Sequence, residues 1–377
     1  MDNLTHSLVG LAAAKAGLER TSPCATAVCV VAANLPDSDI VALAWGRAAY
    51  LEHHRGITHS LVGTLALGLF LPVVVFAAER AWARARGREA RARLRGLLLS
   101  SLALSASHPL LDWTNNYGLR PWLPWDNSWI YGDLVFILDP WIWLLVGGAV
   151  FLAGATSRAR KIAWGALALL VTVVLLVAPR RFGMEIPFGV YAVWFAALAV
   201  LVALHLSRLP ARWGRRVPAA ALALLVLYWC ALAVFHARAA AAAQVAAASL
   251  AAERGAGGVL RVAAMPTFAS PLSWRCAAET ERATLRFDLS LGSGVGPGAV
   301  GNVLKLDKPS GADETAVLRA SQNEHARVLL DFARFPVSTV RRDDAGRLLV
   351  QFVDLRFTEP SRQAPRGGSF ALEVPVE

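Results

Sequence analysis

Five apolar stretches long enough to cross a bilayer, at about 57–79, 134–157, 160–178, 188–206 and 217–236, constrain this chain more than any other feature. About 20 apolar residues in a helix cross the hydrocarbon of a bilayer. Lipid also admits only backbone that satisfies its own hydrogen bonds, so each run predicts a transmembrane helix. A shorter run at 96–112 adds a sixth span. Two more, roughly 5–18 and 22–36, are marginal, because about 15 residues rising ~1.5 Å each reach only ~22 Å. The expected fold class is therefore a mainly α-helical integral membrane bundle of about six to eight spans. Composition agrees. Apolar residues make up 56% of the chain and charged ones 17%, against about a quarter charged in an ordinary soluble domain.

A net charge of +11 would by itself suit a nucleic-acid partner. The location of the basic residues weakens that reading. Arg80, Arg84, Arg86, Arg88, Arg91, Arg93 and Arg95 form one loop, Arg158, Arg160 and Lys161 the next, and Arg208, Arg212, Arg215 and Arg216 a third. The alternate loops are poor in basic residues, with Arg120 alone in 113–133 and Arg180 and Arg181 in 179–187. The positive-inside rule places the basic loops in the cytoplasm and 53–60, 108–133 and 179–187 on the exoplasmic side. No nucleic-acid partner is expected. Met1-Asp2-Asn3 supplies no basic region of a cleavable leader.

After Arg238 an Ala-rich segment of high helix propensity runs to Ala252, and Gly255, Gly257 and Gly258 break it. Beyond lies period-two patterning. Leu285, Phe287, Leu289 and Leu291 alternate with Thr284, Arg286, Asp288 and Ser290, and Phe370, Leu372, Val374 and Val376 alternate with Ser369, Ala371, Glu373 and Pro375. Such alternation predicts half-buried strands. Three regions follow: a helical module at 1–133, further spans with a helical linker at 134–254, and a soluble β-rich domain at 255–377 on the exoplasmic side.

The hexapeptide Thr5-His6-Ser7-Leu8-Val9-Gly10 recurs as Thr58-His59-Ser60-Leu61-Val62-Gly63. Each copy is followed by a helix ending in Pro-x-x-Asp, at Pro36-Asp37-Ser38-Asp39 and Pro109-Leu110-Leu111-Asp112. This reads as a duplicated helix hairpin, the Arg-rich loop being an insertion in the second copy. Repeats in membrane proteins tend to build a site where they meet.

Neighbouring residues complete one constellation: His6, Asp37, Asp39, His53, His54, His59, His108 and Asp112, all at exoplasmic helix ends. Ionisable side chains at a bilayer are costly unless paired, metal-bound or lining water. Imidazole and carboxylate without thiolate suit Zn²⁺, with Mn²⁺ or Fe²⁺ as alternatives, and the number of candidates allows one or two ions. His108 and Asp112, four apart, share a helix face. Thr5, Ser7, Thr58 and Ser60 are expected as caps or as partners of the ligands. Arg55 is expected to pair with an anionic group, and Gly56 to turn the loop so that His53 or His54 approaches His59. The tryptophans at 113, 122, 125, 129, 141 and 143 read as an interfacial belt.

The N-terminal Thr-His, Leu35-Pro36-Asp37-Ser38-Asp39, His54-Arg55-Gly56-Ile57-Thr58-His59-Ser60 and His108-Pro109-Leu110-Leu111-Asp112 together resemble the YdjM-like inner-membrane metal-dependent hydrolases, a group also labelled LexA-binding. The resemblance covers about residues 1–140. It implies a membrane-bound hydrolase of the bacterial inner membrane with a metal centre at the matching His and Asp positions. The expected ligands are His6, Asp39, His53, His54, His59, His108 and Asp112, with Asp37, Asp39 and Arg55 in catalytic roles. Membrane lipids surround the site, and the expected substrate is a phosphoester or another lipid- or envelope-derived molecule. The alternative from another class is a metal-binding transporter or sensor whose exoplasmic β domain engages a partner. Against it, the spans carry almost no ionisable residues near their middles.

Overall fold

The computed structural model describes every residue except 182–185, 294–299, 344, 362–369 and 377. Part of the loop 179–187 and Ser369 of the last strand pattern thus lie outside the described residues. In chain order the main helices are α1 (Asn3–Ala16), α2 (Ala25–Asn34), α3 (Arg47–His53), α4 (Leu61–Ala85), α5 (Leu94–Trp113), α6 (Pro140–Gly154), α7 (Arg158–Arg181), α8 (Phe188–Ser207), α9 (Arg216–Glu253), α10 (Ala312–Ala320) and α11 (Glu324–Phe332). The strands are β1 (Val259–Thr267), β2 (Ser270–Thr280), β3 (Ala283–Ser290), β4 (Val300–Asp307), β5 (Pro336–Arg342), β6 (Leu348–Asp354) and β7 (Ala371–Val376). The chain forms two compact units. The first holds Met1–Asp39, Arg55–Val234 and Pro266–Pro271; the second holds Ile40–His54, Phe235–Met265 and Leu272–Glu377.

In the first unit the two hairpins pack together, α1 against α2, α4 against α5, and α2 against α5. Their starts follow from capping: the Asp2 carboxylate accepts from Thr5 N at 3.0 Å and Ser60 Oγ accepts from Gly63 N at 3.1 Å. The repeated glycines serve close approach. A Cβ on Gly10 would lie 2.8 Å from Cys29 O, and one on Gly63 would lie 1.8 Å from Ile57 O. At the start of α6, Asp139 accepts from Trp141 N at 2.8 Å and Ile142 N at 3.0 Å, and a π-turn follows at Trp143–Gly147.

Among the described residues, five helical segments are long and apolar enough to cross a membrane: Ala25–Trp45, Leu61–Ala85, Arg158–Arg180, Phe188–Ser207 and Arg216–Glu253. Apolar side chains such as Leu65, Phe70, Leu169 and Phe195 stand exposed on them. In water such a surface would be a liability; facing acyl chains it is ordinary. Pro140–Gly154 is apolar but shorter. The 20-residue α5 is long enough, but its buried face carries Ser100, Ser101, Ser105, His108 and Asp112, which keeps its hydropathy below that of the other spans.

The second unit contains two antiparallel sheets, β1-β2-β3-β4 and β5-β6-β7. Alternation along β3 puts Leu285, Phe287 and Leu289 inward, opposite Ala278, Cys276 and Trp274 of β2. The alanines of the later part of α9, including Ala239, Ala243 and Ala247, complete that core. Helix α11 packs on β6, β7 and α3.

Candidate metal centre

The site grows from the ends of the two hairpins. Helix α5 continues through Pro109, so His108 and Asp112 project from one face. His59 ends the short turn Ile57–His59 before α4, and Asp37 and Asp39 sit in the 3₁₀ stretch after α2. Nε2 of His59 lies 3.1 Å from Nε2 of His108, 3.3 Å from Asp37 Oδ1 and 3.4 Å from Asp112 Oδ2. His108 Nε2 lies 3.5 Å from the same Asp37 oxygen and 3.6 Å from the same Asp112 oxygen. Ligands ~2.0–2.2 Å from a tetrahedral Zn²⁺ stand ~3.3–3.6 Å apart. Asp37, His59, His108 and Asp112 therefore form a cage that could hold a metal ion.

The outer nitrogens fix the ring states. His108 Nδ1 donates to Ala33 O at 2.7 Å. His59 Nδ1 lies 3.3 Å from Asp39 Oδ2 and 3.0 Å from Thr58 Oγ1. With Nδ1 carrying the proton in each ring, two Nε2 lone pairs meet at 3.1 Å, an arrangement that needs a cation between them. Without a metal that cation is a proton. Burial would lower the pKa of His59, but Asp112, Asp37 and Asp39 outweigh it and hold the ring raised to about 10.

Each remaining residue of the constellation has a definite place. Asp39 supports His59 rather than joining the cage; its Oδ2 also accepts from Arg55 N at 3.0 Å and Thr58 Oγ1 at 3.2 Å. His6 stacks on His108 with ring centroids 3.8 Å apart, and its Nε2 lies 3.3 Å from Asp112 Oδ1. The Met1 amino group also contacts that oxygen, and burial lowers its pKa against the opposing pull of Asp112. Arg55 is buried, with a left-handed φ of 54°. Its Nε lies 3.0 Å from Asp112 Oδ2, while Nη1 donates to Asn115 Oδ1 at 2.9 Å and Gly118 O at 3.3 Å. In this geometry Arg55 positions Asp112. The sharp turn falls at Arg55 rather than Gly56. His53 and His54 belong to the second unit, where His53 ends α3 and the His54 ring stacks on Tyr50 at 4.6 Å.

Residues 1–182 match the model of the YdjM inner membrane protein family. The N-terminal part of this chain is similar to that family. A protein of Bacillus subtilis (strain 168), named uncharacterized protein YfhP, is 27% identical over 168 residues, covering 41% of this chain and 48% of that protein. The chain thus matches about half the length of this relative. No solved structure matches. The matched region contains the whole four-residue cage, and together with the apolar helices the match supports an integral protein of the inner membrane. Within it, motif reading missed Asn115, Asn3 and the Ala33 carbonyl. Asn115 braces Arg55, and Asn3 Nδ2 donates to Asp37 Oδ2 at 3.0 Å. No spacing signals them, since each acts through a tertiary contact.

Proposed function

We propose that this protein is a membrane-bound metal-dependent hydrolase acting on a phosphoester or another lipid- or envelope-derived substrate at the exoplasmic surface. The observation that carries the reading is the four-atom cage of Asp37, His59, His108 and Asp112, whose ligand atoms all lie within 4.8 Å of one another and whose imidazole nitrogens stand 3.1–3.6 Å from each other and from the two carboxylates. One Zn²⁺ suits it, with Mn²⁺ or Fe²⁺ as alternatives. Bound there, the ion would supply Lewis acidity toward the scissile group and make water acidic enough to attack at neutral pH.

The protein's own groups do the rest. Asp39 and the Ala33 carbonyl hold the two imidazoles in their metal-binding tautomers, and Arg55 holds Asp112. His59, His108 and Asp112 are at most 1% exposed, whereas the Asp37 side chain is 17% exposed. Water and substrate therefore approach from the Asp37 side. Placement at exoplasmic helix ends favours amphiphilic substrates at the headgroup level. This side follows from the arginine-rich loops.

The test is hydrolysis by the purified full chain, supplied with bis(4-nitrophenyl) phosphate and with short-chain phospholipids. The expected result is turnover that is lost with a chelator, restored by Zn²⁺ or Mn²⁺, and at least 100-fold lower in His59→Ala. A fully metal-loaded protein that hydrolyses neither class would contradict the proposal.

A further inference from the structure

Between α1, α6, α7 and α8 lies a cavity of about 370 Å³. Leu4 and Leu8, one turn apart, line it from the face of α1 opposite His6, so it is separate from the metal centre. Its size falls within the range of small-molecule sites, and its wall is almost wholly apolar. Among the described residues Lys161 and His205 are the only ionisable ones lining it, and they share one end. Lys161 lies in the first turn of α7, His205 in the last turn of α8, and the His205 ring packs on Phe151 of α6 at 4.8 Å. Trp143 and Leu4 mark the other end.

Three further features suit an occupant. Lys161 is exposed and has no carboxylate in ion-pairing reach among the described residues, and Arg158 and Arg160 share its turn. Gly147, Gly148 and Gly165 thin the wall, and a Cβ added at Gly165 meets nothing within 4 Å. The wall also includes the π-turn Trp143–Gly147, a local distortion that recurs at functional sites. A long apolar cleft with cations at one mouth matches an amphiphile with a hydrocarbon tail and an anionic head. Basic pockets between membrane helices recognise such headgroups.

We propose that this cavity binds one acyl chain of an anionic phospholipid, with the phosphate at Lys161 and His205 beside it. The inference is independent of the reaction at the metal centre.

Native mass spectrometry of the purified full chain tests it, with dioleoyl phosphatidylglycerol, dioleoyl phosphatidylcholine and oleate as separate probes. The expected result is one phosphatidylglycerol per chain at a concentration where neither other probe is retained. Gly165→Leu, which fills the cavity, and Lys161→Glu, which reverses the charge, should each weaken retention at least tenfold. Circular dichroism and metal content serve as controls for folding of both variants. Wild-type retention in both folded variants would overturn the proposal. Equal retention of phosphatidylcholine would remove the anionic head, and equal retention of oleate would replace the phospholipid with a fatty acid; either would overturn it too.

Discussion

Asp39 touches His59 without entering the cage, and its contribution is therefore separable from ligation. Its carboxylate lies 3.3 Å from His59 Nδ1 and accepts from Arg55 N and Thr58 Oγ1. Asp39→Asn keeps the shape and removes the charge that fixes the ring. The expected outcome is a 10–100-fold loss of metal affinity, measured by competition with a chromogenic chelator. The proton on His59 gives a second prediction. Its metal-free pKa is raised from 6.5 to about 10. The charged ring therefore stabilises the metal-free fold fully below pH 6.5, and that contribution is lost as pH rises through about 10. Between those limits metal entry displaces one proton, so affinity should rise about tenfold per pH unit. Titrations at pH 7, 8 and 9 check this, and a flat profile would contradict it. These predictions belong to residues the motifs named; the division of labour among them was not legible. Spacing places Asp37 and Asp39 together, yet only the backbone path through Arg55 decides which faces the cage and which supports His59.

At the scale of elements, the duplicated hairpin was legible because six identical residues recur with a Pro-x-x-Asp after each copy. Its two halves are nevertheless unequal in structure. Thr5-His6-Ser7 lies inside α1, whereas Thr58-His59-Ser60 precedes α4. His59 thus enters the cage while His6 stacks behind it. The repeated glycine differs likewise: Gly10 brings α1 onto α2, and Gly63 brings α4 under the turn that carries His59. Gly63→Ala would drive Ile57 O away and displace that turn. Overpacking of this kind costs about 1–3 kcal/mol, and metal retention should fall along with stability. Gly10→Ala should lower the melting temperature with a smaller loss of metal, read by thermal melts alongside elemental analysis. The apolar spans and the β3 alternation were also legible, since lipid and a half-buried sheet impose strict periods. The start of α4 at Leu61 was not, because the apolar run continues across the turn.

For the whole molecule, the expected helical bundle followed by β structure is what the chain forms; among the described residues five segments are long and apolar enough to span, against the six to eight expected, and two antiparallel sheets follow. The proposed orientation, with the arginine-rich loops in the cytoplasm, has the cage on the exoplasmic side. A Ser128→Cys variant in a Cys24→Ser, Cys230→Ser background tests that placement, because Ser128 is exposed on the 113–133 loop. An impermeant maleimide should label it in intact cells, and labelling only after lysis would contradict the orientation. Everything functional rests on the cage holding an ion. Elemental analysis of the purified full chain measures this most directly: about one Zn, Mn or Fe per chain is expected, lost in His59→Ala and Asp112→Ala. Metal absent from the wild-type chain, or retained in full by both variants, would contradict the account.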